Sequence, residues 1–158
     1  MATSPTPGPG WRMATEGALF VDDARVHDGG FFTVWRRGDV VGVRIVGDLD
    51  DERNPVWRAW LDDRFAREGV PRFMALDVRD ARPAASLPKR MQTAAWGRRL
   101  LGQIAHGTIH LGHDANVSLT VKAILRVAGM DNVWLRTDDD AFAADVEAML
   151  RGQVDGRG

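Results

Sequence analysis

The sequence predicts an α/β domain with a mixed open sheet of about five strands and four amphipathic helices, ordered as a hairpin followed by αβαβαβα. Three observations carry this expectation. Two β-type runs flank Arg37-Gly38-Asp39, a tight-hairpin signal. Downstream, segments with apolar residues at helical spacing alternate with short apolar runs. No segment repeats at a solenoid period.

Residues 1–30 are expected to form a flexible Pro/Gly-rich N-terminal segment, because "MATSPTPGPGWRMATEG" has little to bury besides Trp11. Within it, "ALFVDDARVHDGG" offers at most a short edge strand around Leu19–Val21. The domain is placed at residues 31–152, with a flexible polar tail at 153–158.

In "VVGVRIVG", Val41, Val43 and Ile45 share one face and Val40, Gly42, Arg44 and Val46 the other, which predicts a half-buried strand with at least one face toward a core. After the acidic loop "DLDDER", Asn54 suits an N-cap and Pro55 a first helical position. Trp57, Trp60, Leu61 and Phe65 then fall on one helical face, and Gly69 and Pro71 stop the helix. "RFMALDVRD" is apolar enough at its centre for a buried strand. A second helix is expected over Leu87–Ile104, with Ala94, Gly97, Leu100, Leu101 and Ile104 on one broad face. Gly97 there would let the helix lie close to the sheet. "GTIHLG" and "NVWLRT" read as strands on either side of a helix over Asn116–Ala128. "DDDAFAADVEAML" is a last helix whose acidic start suits the helix dipole.

Composition narrows the function. Net charge is −1, which argues against a chain built to hold nucleic acid. There is no cysteine, so disulfides, thiol catalysis and cysteine zinc sites are excluded. No basic stretch followed by an apolar core marks a signal peptide, and no apolar run approaches the ~18 residues of a membrane span. A cytoplasmic location is therefore expected. Phosphate-binding and dinucleotide-binding glycine motifs and the G-x-S-x-G elbow are absent. His110 and His113 in "IHLGHD" would converge only if the chain turns at Gly112, and no further ligands lie near except Asp114. No metal or cofactor is called for. Asp48, Asp50, Asp51 and Glu52 read as an acidic loop serving solubility and the helix dipole.

From Phe32 to Leu150 the chain resembles a STAS domain, the fold of bacterial anti-sigma-factor antagonists. The likeness rests on "VVGVRIVGDLD" with its Gly47, Leu49 and Asp50, on "FMALDVRD" leading into a loop, and on the ending "AILRVAGMDNVWLRTDDDAFAADVEAML". Element order and spacing agree as well. In that family the loop after the central strand usually reads Asp-Ser-Ser-Gly, and its second serine accepts phosphate from a partner kinase. Here the loop reads "PAASLPKR". Ungapped, Ser86 meets the first serine, Leu87 the second, and Pro88 the glycine; a shift of one residue puts Ser86 at the phosphorylated place. Proline does not copy glycine's freedom but suits a first helical turn, so Ser86 as an N-cap stands beside Ser86 as a phosphoacceptor, and capping is favoured.

The resemblance implies a non-enzymatic signalling or scaffolding module. It would bind a protein partner (an anti-sigma factor, a serine-kinase-like protein or a scaffold) through the loop and helix start at residues 82–95. Homo-oligomerisation is compatible with it. The residues assigned to that surface are Arg82, Ser86, Leu87, Lys89, Arg90 and Met91, with Leu87, Met91 and Ala95 as an apolar strip and Arg79, Arg82, Lys89 and Arg90 as cations for a phosphate or an acidic surface. Trp96 falls away from the Gly97 face and is a further candidate contact. The alternative is a small-molecule or lipid carrier, which calls for a cavity of ~300 Å³ or more between helices and sheet. An enzyme would need His110, His113 and an acidic residue to share one pocket.

Overall fold

The computed structural model describes residues 18–154. The expectations for 1–17, Trp11 included, and for 155–158 lie outside the described residues. The sheet has six strands in sequential order: β1 (Arg25–Asp28), β2 (Phe32–Arg37), β3 (Val40–Leu49), β4 (Phe73–Pro83), β5 (His106–His110) and β6 (Val133–Arg136). β2 runs antiparallel to both β1 and β3, and β3 to β6 are parallel. The helices are α1 (Asn54–Glu68), α2 (Leu87–Leu101), α3 (Ala115–Ala128) and α4 (Asp139–Leu150). The mixed open sheet with four helices is as the sequence predicts, with one strand more.

The hairpin closes through Gly38 at φ +59°. Arg37 then pairs with Val40 across the loop. From β3 onward each new parallel strand is added on the same side, so right-handed crossovers place α1, α2 and α3 on one face. Val41, Val43, Ile45, Met74, Val78 and Ile109 meet Trp57, Leu61, Phe65, Trp96, Leu100 and Val117 there. Asp114 caps α3 by accepting from the Asn116 and Val117 N–H groups, and Asp138 caps α4 by accepting from Ala141.

The reverse face corrects the expected start of the domain, the place of the edge strand and the start of the tail. β3 is buried on both sides, because residues 18–24 and α4 cover Val40, Gly42, Phe73 and Ala75. The domain therefore starts at or before residue 18 and not at 31: two 3-10 turns, Ala18–Phe20 and Asp22–Ala24, and strand β1 all belong to it. The strand lies at Arg25–Asp28, beyond the expected Leu19–Val21, and its register slips between Arg25 and His27. Likewise Val154, assigned to the tail, is buried against this face. Periodicity places this segment poorly because the apolar run at 18–21 is too short to show a period, and Ala24 and Val154 are single apolar residues between polar neighbours.

β4 carries a bulge that matters for the site. Arg44 pairs with Asp77 but Val46 pairs with Asp80, so β4 holds one extra residue. A single inserted residue reverses which side chains face the helices. Met74, Leu76 and Val78 face them before the bulge, and Ala81 faces them after it. Arg79 sits in the bulge itself.

Gly42 is the contact that admits the N-terminal segment. A Cβ there would lie 2.5 Å from Phe20 Cε1 and 2.9 Å from Leu19 Cδ2. Phe20 also sits edge-on to Trp35, the residue paired with Gly42. Gly42→Val should displace this segment, lower stability by ~1–3 kcal/mol in urea unfolding, and open the peptide bond after Arg25 to trypsin. Unchanged stability together with unchanged cleavage would contradict the close packing.

Candidate functional site

The loop between β4 and α2 is laced to the acidic loop after β3. Ala84 N–H donates to the Leu49 carbonyl at 3.3 Å, and Ser86 N–H donates to the Asp51 carboxylate. Ser86 holds the N-cap position of α2 with an extended backbone, yet its hydroxyl makes no capping bond, and Pro88 occupies the first turn. That N–H, with the Ser86 hydroxyl and the Lys89 charge behind it, holds the Asp51 carboxyl below the usual carboxylate range. Arg82 is occupied by Asp48, and the same contact holds Asp48 below that range. The acidic loop is thus a brace for the β4–α2 loop, a role its composition did not reveal. Both contacts are solvent-exposed, so they position the loop more than they stabilise the fold.

Leu87 is 63% exposed and Met91 45% exposed, and Ala95 continues the strip along α2. Ser86, Leu87 and Met91 therefore share a rim. The other assigned residues divide. Arg82 is paired with Asp48, Lys89 is half-buried near Asp51, and Arg90 lines a cavity beneath the helix. Arg79 is likewise turned inward. Trp96 is buried: its Nε1 donates to Asp62 Oδ1 at 2.7 Å and its ring meets Trp57 edge-on. It ties α2 to α1 and is no partner contact. Asn54 is not the cap of α1 but its first residue, buried, with Oδ1 accepting from Arg58 and Thr93.

The cavity has a volume of about 150 Å³ and lies between the α1–α3 face of the sheet and the helices. Ile45, Leu76, Ile109, Val121 and Leu125 form much of its wall. That is half the ~300 Å³ a carrier of a whole lipid asks for. A Cβ on Gly97 would meet the Met130 methyl at 3.1 Å, so this glycine makes room for a side chain beside the cavity and does not bring the helix backbone onto the sheet.

On the other face, at the carboxyl ends of β4 and β5, lies a charged cluster. Arg79 donates to buried Asp77 at 2.8 Å and to Asp139 at 2.6 Å. His110 Nδ1 accepts from Gly112 N–H at 3.1 Å, so its Nε2 carries the proton donated to Asp139 at 2.9 Å. Gly112 turns the chain at φ +65° and packs directly on Arg79. The turn does not bring the histidines together: His110 is buried and His113 exposed. Burial pushes the Asp80 carboxyl up, against the pull of Arg44. Among the described residues no group of three or more His, Asp or Glu side chains is placed to hold a metal ion. Among them, too, no helix is long and apolar enough to cross a membrane.

No family model matches the chain, and no curated protein matches its sequence.

Because the Asp51 carboxyl is held low, its bond to the loop is fully present above the ordinary carboxylate pKa and is lost as pH falls through the lowered value. The Ser86 amide proton should therefore titrate in NMR spectra with a midpoint below the usual carboxylate range. Asp51→Asn should remove that titration. A flat Ser86 signal in the parent chain would show that the two loops are not joined in solution.

Proposed function

We propose that this chain is a non-enzymatic, STAS-type signalling or scaffolding module of a bacterial cytoplasm, which docks a protein partner on the start of α2. The observation that carries this reading is the strip Leu87–Met91–Ala95, left exposed on a rigid helix beside a loop anchored by Asp51. Large apolar side chains that a fold leaves uncovered in a row favour association. The partner class, an anti-sigma factor or serine-kinase-like protein, comes from the sequence resemblance described above.

Ser86 sits where a phosphoryl group would have a definite effect. With Arg79 and Arg82 already engaged, the added charge would meet Asp51 first. Like-charge repulsion would break the Ser86–Asp51 contact and release the loop, which differs from capture by arginines.

Purified serine-kinase-type anti-sigma factors from the same genome should bind the chain. Leu87→Glu combined with Met91→Glu should weaken that binding at least tenfold, about 1.4 kcal/mol, with an unchanged melting temperature because both side chains are exposed. Failure of every such protein to bind, or equal affinity for the double variant, would remove this reading. Ser86→Asp should differ from Ser86→Ala in affinity for the same partner, and equal values would retire the phosphorylation switch alone.

A further inference from the structure

We propose that the cavity between α2, α3 and the sheet is a binding site for one small, neutral, apolar molecule, the size of a single aromatic ring. The chemistry of the wall and the volume it encloses carry this inference. The wall is almost wholly apolar. Its polar groups are engaged within the protein. Asn54 Oδ1 accepts from Arg58 at 2.8 Å and from the Thr93 hydroxyl at 3.0 Å, and Trp96 Nε1 donates to Asp62 at 2.7 Å. Arg90 Nε and Trp57 Nε1 are themselves buried and have no surface in the cavity. A hydroxyl or carboxylate entering here would give up its water for little in return. An apolar molecule gives up nothing and gains contact on every side.

Small residues on three segments make the space. The bulge in β4 turns Ala81 inward, Ala85 follows in the loop, and Gly97 stands in α2. Met130 reaches back toward Gly97 and takes up part of the room. About 150 Å³ is left, in an interior where voids larger than a water molecule are few. That is the volume of an engineered apolar cavity which stays dry and holds one benzene ring. A long acyl chain does not fit it. The wall formed by α3 is also loosely seated. Its buried residues are Val117 and Ala128, whereas Val121, Ile124 and Leu125 line the cavity and are half-buried. A molecule filling the void would supply these side chains with the contacts they lack.

This inference does not rest on the docking reading. Leu87 and Met91 do not line the cavity, and the assay uses no protein partner.

Toluene and phenol, which match in shape, are titrated into the full chain and followed by calorimetry and melting temperature. Palmitate tests for carriage of a whole lipid chain. Toluene should bind saturably, raise the melting temperature with concentration, and bind at least tenfold more tightly than phenol. Amide hydrogen exchange should slow in α3 on binding and stay unchanged in α4, which packs on the opposite face. Ala81→Leu and Ala85→Leu should each weaken toluene at least tenfold by filling the space. Leu125→Ala should enlarge it and shift the preference from toluene to naphthalene, a gain of binding that does not depend on how the filled variants fold. Leu87→Glu with Met91→Glu should leave all these values unchanged. No saturable binding of toluene, phenol as tight as toluene, protection confined to α4, or unchanged ligand preference in Leu125→Ala would each overturn the proposal. Palmitate binding as tightly as toluene would overturn the size assignment.

Discussion

The handedness of the crossovers governs this molecule. Strands that add in one direction from β3 to β6 force α1, α2 and α3 onto a single side. The opposite side of a sheet so apolar cannot remain in water. It is covered by what the chain has left at its two ends, the turns at 18–24 and helix α4. The result is two unequal layers. One is made of long crossover helices and holds the cavity. The other is thinner and holds Phe20, Trp35, Phe142 and Val146. Gly42 belongs to the second layer and decides how closely it can approach.

The bulge in β4 couples these layers to the charged groups. By adding one residue it turns Ala81 toward the cavity and leaves Arg79 in position to reach Asp77 and Asp139. Asp77 and His110 are register partners on neighbouring strands, so the cluster spans β4, β5 and the start of α4. A second cluster joins β5, β6 and α4: Asp145 accepts from Thr108 at 2.6 Å and from Arg136 at 2.6 Å. Buried charge of this kind gains little net stability over an apolar core, but an isolated member would be costly. The clusters therefore act mainly to fix how α4 seats on the sheet.

From Phe32 to Leu150 the elements are legible because period 2 and period 3.6 alternate cleanly and Gly69 and Gly129 mark helix ends. Leu87, Met91 and Ala95 are legible as one strip for the same reason. What is not legible depends on partners distant in sequence. Asp51 and Ser86 are 35 residues apart, and Arg79 and Asp139 are 60 apart. Nothing local distinguishes Arg90, which turns to a cavity, from Lys89, which stays near Asp51. Trp96 misleads because a helix flanked by a second helix buries a wider arc than one lying on a sheet alone, and α1 supplies that flank. Asn54 has the right chemistry for a cap, but the helix begins at it and its amide is used across to α2.

Strand β1 has a consequence for how copies of this chain can meet. It forms one margin of the sheet, it is only four residues long, and its register slips between Arg25 and His27. An incoming strand needs a straight run of free amide and carbonyl groups, and this border interrupts that run while presenting Arg25 and Asp28. Cross-β stacking of one molecule on another is therefore discouraged at this margin, and lateral contact between helices is the easier route to self-association.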